Sequence, residues 1–262
     1  MKCFKIFFLA TILSCSNNHE SEQSENLQRI DLGEIESNKI LEASGLASSR
    51  FNQNILWTHN DSGDSNRIFA MDINGNHVGE FLLNNTENRD WEDIAIGPGP
   101  MEGVDYIFVG DIGDNRSEND VKHIYRFVEP QVYTNNQSSE TNINNIESIS
   151  YQYEDGNRDA ETLIVDPITK DIIIISKREE SAVNVYLLPF PHDTENILTA
   201  QLIMTKDFYP NINFNTSQWI VAGDISKDGS KILIKSYTDV FYFSRESNQS
   251  IFDALNTSGV KL

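Results

Sequence analysis

The residues of this chain that could do chemistry are oxygen donors set in recurring short segments. Four segments align: Glu42-Ala-Ser-Gly-Leu-Ala47, Asp90-Trp-Glu-Asp-Ile-Ala95, Asp159-Ala-Glu-Thr-Leu-Ile164 and Val221-Ala-Gly-Asp-Ile-Ser226. In that alignment Ser44, Glu92, Glu161 and Gly223 share one position, and Glu42, Asp90 and Asp159 fall two residues earlier. Strand side chains alternate with period two, so these carboxylates are expected on one face of their strands. Carboxylates crowded together repel, and a bound divalent cation relieves the repulsion. An oxygen-only donor set selects Ca²⁺, with Mg²⁺ the second choice because it demands stricter geometry. The loops His59-Asn-Asp-Ser-Gly-Asp64 and Asp111-Ile-Gly-Asp-Asn115 add Asp61 and Asp111 as candidate ligands. Plain turn chemistry accounts for those loops equally well. Arg158, Lys177 and Lys235 stand near the segments, either to bind an anionic ligand or to neutralise the carboxylates. His59 is the candidate general base, the other four histidines lying away from the repeated segments. No nucleophile elbow, His-Glu-x-x-His pair or phosphate-binding glycine loop occurs.

Positioning those residues falls to short β-branched and aromatic runs separated by Asn, Asp, Gly and Ser, a pattern of strands and tight turns. Each aligned segment is followed by an apolar run (55–61, 106–111, 172–177, 232–237) and then a third run (67–73, 123–130, 182–189, 240–243). Fourth runs close the first three units at 78–83, 148–154 and 200–205. A repeating unit of four antiparallel strands predicts an all-β fold, a β-propeller with four visible blades. A β-sandwich with chance repetition is the competing fold. The fourth unit lacks a clear fourth strand, and Leu27 to Ile35 could supply it by exchange. A short helix is predicted at Ile251 to Leu255.

The 262 residues carry 20 Lys and Arg against 40 Asp and Glu, a net charge of −20. That charge repels nucleic acid and argues against it as a partner. Lys2 and Lys5 precede an apolar run, Ile6 to Leu13, which has the length of a signal-peptide core and is too short to span a bilayer. The run ends at Ile12-Leu-Ser-Cys15, which fits a lipobox with acylation at Cys15; ordinary secretion with nearby cleavage is the alternative. The only other cysteine is Cys3, so the exported part is expected to hold no disulfide and no thiolate metal site. The expected organisation is a lipoprotein signal peptide at 1–14, a flexible tether at 15–26 and a propeller at 27–262. The expected location is the bacterial cell envelope, through a lipid anchor in the outer membrane or on the cell surface.

The pieces SGLA (44–47), LWTHNDSG (56–63), DWEDIA (90–95), VGDIGDN (109–115), DAETL (159–163) and DISKDGSKILIKSYTD (224–239) resemble a family of secreted bacterial β-propeller lipoproteins with phytase-like or regucalcin-like repeats. The resemblance covers about 40–260. Such relatives continue into a further blade opening with a Gly-Glu-Ala-Ile-like strand, giving five or six blades. The resemblance therefore implies that this chain stops short of its last blade. Three functional expectations follow. One is a calcium-binding scaffold for a small-molecule or protein ligand. The second is a calcium-dependent phosphoesterase or lactonase, and the third is an inactive truncated product.

Overall fold

The run Ile172-Ile-Ile-Ile-Ser-Lys177 is apolar without alternation because both of its faces are buried. Ile172 and Ile174 belong to one hydrophobic core, Ile173 and Ile175 to the next. Sheets stacked face to face impose that pattern on their central strands. The structure, a computed structural model, describes residues 32–133, 140–179 and 182–262, all within the compact unit 31–262.

Four antiparallel meanders follow one another along the chain. The first contains β1 (Ala43–Ser48), β2 (Ile55–Asn60), β3 (Arg67–Asp72) and β4 (His77–Leu83). The second begins with β5 (Trp91–Pro98), β6 (Asp105–Asp111) and β7 (Lys122–Val128). Its connection then contributes β8 (Glu140–Ile143), which pairs in parallel with β4 of the first meander. It returns as β9 (Glu147–Tyr153), antiparallel to β7. The third contains β10 (Asp159–Val165), β11 (Ile172–Lys177), β12 (Ala182–Leu188) and β13 (Leu198–Asp207). The start of β13 pairs in parallel with β9. The fourth contains β14 (Ile220–Ile225), β15 (Lys231–Ser236) and β16 (Val240–Ser244), then helix α1 (Ile251–Leu255) and the short β17 (Val260–Lys261).

Three cores separate the four sheets. Trp57, Ile68 and Phe81 of the first pack against Trp91, Ile94 and Ile107 of the second. Phe108, Ile124 and Tyr151 meet Leu163, Ile172 and Tyr186 of the third. Ile173, Ile175 and Val185 meet Ile220, Ile232 and Phe243 of the fourth, which α1 seals with Ile251, Ala254 and Leu255. Each fully buried aliphatic side chain contributes about 1.5–3 kcal/mol. The first strands β1, β5, β10 and β14 lie innermost, each packed against the next. This arrangement is a β-propeller.

No comparable core joins the fourth blade to the first among the described residues. The two meet at their lower ends, where Arg50 Nη2 donates to the Ile225 carbonyl at 3.4 Å. Leu46 on β1 and Leu233 on β15 are exposed, at 50% and 40%. The described blades thus form an arc with a seam.

The strand expected at Leu27 to Ile35 is not formed in its described part, 32–35. The chain there lies against the β3–β4 turn of the first blade, with Glu36 N–H donating to the Gly75 carbonyl at 2.9 Å. The fourth blade takes its outer strand from β17 instead. The signal-peptide and tether segments, with Cys15, lie outside the described residues.

Candidate metal centre

Each innermost strand carries a β-bulge near its upper end, and the bulge decides which side chains face the site. In β5 the register skips Glu92 between Trp91 and Asp93; in β10 it skips Glu161 between Ala160 and Thr162. The corresponding skipped residues are Gly45 in β1 and Val221 in β14. Glu92 and Glu161 are therefore structural equivalents, as the sequence alignment had them. Their counterparts in the outer blades, however, are Gly45 and Val221, one residue on from Ser44 and two before Gly223. The bulge inserts a residue into the strict alternation, which is why letter-by-letter matching slipped there. Gly45 sits at φ 68°, and a Cβ there would lie 2.7 Å from the Ile94 nitrogen. Only glycine fits that approach, so the first blade contributes its carboxylate from the loop after β2 instead.

That loop residue is Asp61. Asp61, Asp90 and Glu92 each present an oxygen within 4.8 Å of the other two. Among the described residues no cation pairs with any of the three. Gly113 leaves room for the cluster, since a Cβ on it would lie 2.4 Å from Asp90 Oδ2 and 2.5 Å from Glu92 Oε1. Burial and the charges of Asp61, Asp90 and Asp159 push the Glu92 carboxyl up to about 9, against a smaller opposing pull from Lys177. Burial, with Asp61 and Asp159, raises Asp90 to about 6. Oxygens on one Ca²⁺ lie up to about 5 Å apart, whereas Mg²⁺ holds them within about 4 Å. Oxygens gathered within 4.8 Å can share one Ca²⁺.

The neighbouring carboxylates are already matched. Glu161 is ion-paired with Lys177, whose Nζ also donates to the Tyr237 hydroxyl at 2.8 Å. Asp159 is paired with Arg178 and accepts from Asp114 N–H at 2.7 Å. Lys177 and Arg178 both stack on Trp219, with the charged groups 5.5 and 5.0 Å from the ring centroid. The result is a triad of carboxyl groups without a basic partner among the described residues, beside a wall of cations and aromatic rings.

The remaining candidates lie elsewhere. Asp111 is buried and accepts from Asp90 N–H at 2.8 Å, so it braces the strand and does not join the triad. Glu42 is exposed. Arg158 is held by Asp155 at 2.8 Å and by the Tyr186 hydroxyl. Lys235 projects from the exposed face of β15. His59 is fully buried, its Nδ1 donating to the Asn60 carbonyl at 2.9 Å and its ring edge-on to Trp91. Burial lowers it to about 4, and a base enclosed in that way cannot reach a substrate.

One functional residue escaped the sequence reading. Asp93 is 1% exposed. Its carboxylate accepts from the N–H groups of Ile94 at 2.9 Å, Leu163 at 2.9 Å and Gly223 at 3.4 Å. Measured from the bulges, those three residues occupy the same place in the second, third and fourth blades. Burial raises Asp93 well above the carboxylate range in spite of those bonds. A second acidic residue directly after Glu92, leading into the apolar run Ile94-Ala-Ile96, is the available signal.

The fold and the triad define a propeller with an acidic upper face. No family model and no curated protein matches the chain. Among solved structures it is similar to an auxiliary nutrient binding protein from Bacteroides thetaiotaomicron, at 11% identity and a TM-score of 0.42 over 84% of this chain and 41% of that one. It is also similar to the Dos1 propeller, at 12% identity and a TM-score of 0.35 over 76% and 44%. A third is the PQQ-bound aldose sugar dehydrogenase of Streptomyces coelicolor, at 8% identity and a TM-score of 0.39 over 84% and 81%. The chain spans about two fifths of the length of the first two.

Proposed function

We propose that this protein is an exported propeller scaffold that binds Ca²⁺ through Asp61, Asp90 and Glu92. The carrying observation is that these three carboxyl groups converge and no Lys or Arg among the described residues pairs with them, while Asp159 and Glu161 beside them are paired. A divalent ion would supply the missing positive charge and fix the loop after β2 against β5. Lys177, Arg178 and Trp219 would then offer a polar and aromatic wall to a small-molecule or protein ligand. A calcium-dependent phosphoesterase or lactonase is the weaker reading, since burial removes His59 as its base. Export with lipid attachment at Cys15 to the bacterial envelope belongs to the same proposal, on the strength of the basic start, the apolar run and Leu-Ser-Cys.

Metal analysis and thermal melting test the scaffold. The expected result is about one Ca²⁺ per chain, a higher Tm with Ca²⁺ than with chelator, and loss of both in Asp61→Asn. A chelator-insensitive Tm with no bound metal would remove the proposal. Radiolabelled palmitate incorporation in the wild type and in Cys15→Ala tests the anchor.

A further inference from the structure

A cavity of about 320 Å³ opens at the foot of the seam between the first and fourth blades, opposite the acidic face. Ser48, Ser49, Arg50, Ile96, Asp224 and Lys227 line it. Its volume is at the small end of the range for small-molecule sites. Two opposite charges within it are poorly matched by the protein. The Arg50 side chain is only 7% exposed; its guanidinium makes a long bond to the Ile225 carbonyl, approaches Asp105 at 3.8 Å and feels the charges of Asp105, Asp224 and Glu129, with no closer ion pair among the described residues. Asp105 is shared with Lys227 at 3.3 Å. Asp224 accepts one hydrogen bond, from the N–H of its neighbour Ile225 at 2.8 Å. Among the described residues no cation lies within ion-pair distance of Asp224.

Arg50 and Asp224 feel each other's charge but do not pair, so each keeps hydrogen-bonding capacity toward the cavity. A planar guanidinium with unused donors suits a carboxylate. A lone anion would meet Asp224 and Asp105, and a lone cation would meet Arg50 and Lys227. An apolar occupant would leave both charges desolvated and unmatched, at high cost. A molecule carrying both charges satisfies each without changing the net charge of the site. Ile96 offers an apolar wall to its remaining atoms, and the Ser48 hydroxyl a further polar contact.

We propose that this cavity binds a small zwitterion of the free α-amino acid kind, with its carboxylate on Arg50 and its ammonium on Asp224. The site is separate from the carboxylate triad and does not depend on calcium.

Calorimetric titration of the full chain with the common free L-amino acids, each to about 10 mM, tests this in the presence of chelator. At least one is expected to bind. Its α-amide, lacking the carboxylate charge, and its α-hydroxy analogue, lacking the ammonium, should each bind at least about tenfold more weakly, since each leaves one charge of the site unmatched. Arg50→Gln and Asp224→Asn should abolish binding. Ser48→Trp, at the exposed end of β1, blocks the cavity without touching either charge and serves if those variants fail to fold. Failure of every amino acid to bind the folded wild type would overturn the proposal. So would equal binding of the two analogues, or binding that survives Ser48→Trp.

Discussion

Glu92 gives the sharpest test of the electrostatics. Its carboxyl is raised from the ordinary 4.5 to about 9, so between those values the native protein holds a proton that the unfolded chain has released. Stability from this group is complete below pH 4.5 and drains away as pH rises toward 9. One unit of separation corresponds to about 1.36 kcal/mol. Between pH 5 and pH 8 the group should therefore remove up to about 4 kcal/mol, and about 2 kcal/mol if water reaching the half-buried Asp90 and Asp61 screens half of it. Glu92→Gln keeps the shape of the side chain and cannot ionise. Urea unfolding of both proteins with chelator should show their stability difference growing by about 2–4 kcal/mol in favour of the variant from pH 5 to pH 8. Adding Ca²⁺ at pH 8 should restore the wild type and leave the Glu92→Gln variant unchanged. A difference that stays constant across that range would refute the placement of Glu92 in a buried site beside the charges of Asp61, Asp90 and Asp159.

Gly113→Ala should abolish the calcium-induced rise in Tm, because its methyl group would occupy the space between Asp90 and Glu92; wild-type calcium affinity in that variant would contradict the geometry. Lys177→Met should destabilise by about 3–5 kcal/mol in denaturant unfolding, since it strands the buried Glu161, and Lys177→Met with Glu161→Leu should recover much of the loss. Asp93→Ala should cost about 2 kcal/mol or more by the same measurement, because it leaves backbone donors of three blades without their shared acceptor; an unchanged unfolding midpoint would show those donors to be satisfied elsewhere.

The fold was legible where local pattern and tertiary packing demanded the same thing. Ile172 to Ile175 must be apolar on both faces in any stacked-sheet structure, so the blades could be counted from such runs. The helix at Ile251 to Leu255 was visible as well, with Ser250 capping it by accepting from Asp253 N–H at 3.0 Å. The triad was half legible. Asp90 and Glu92 were placed on one face, and Asp61 was named from its loop. Asp111 was grouped with Asp61, although its side chain turns inward to hold the Asp90 backbone. Loop letters carry no information about that turn. β8 was missed because Glu140 to Ile143 is a short polar stretch whose pairing with β4 is set by a neighbouring blade. Neutralisation of the carboxylates by the neighbouring cations was legible, but the choice of Asp159 by Arg178 was not, since Arg178 stands at φ 76°, a conformation its side chain type does not announce.

The seam gives the array two ends, and an array with ends can come apart from either of them. Stability in such a stack is a sum of units and their nearest-neighbour contacts, so terminal members open most readily. The two terminal members are not alike. The first is strapped to the second by β8, and the second to the third by the β9–β13 pairing, whereas among the described residues no strand borrowed from a neighbour edges the fourth. Amide protons of β14 to β16 should therefore exchange with solvent soonest and those of β6 and β11 last, so that the molecule unravels with a preferred polarity along its own sequence.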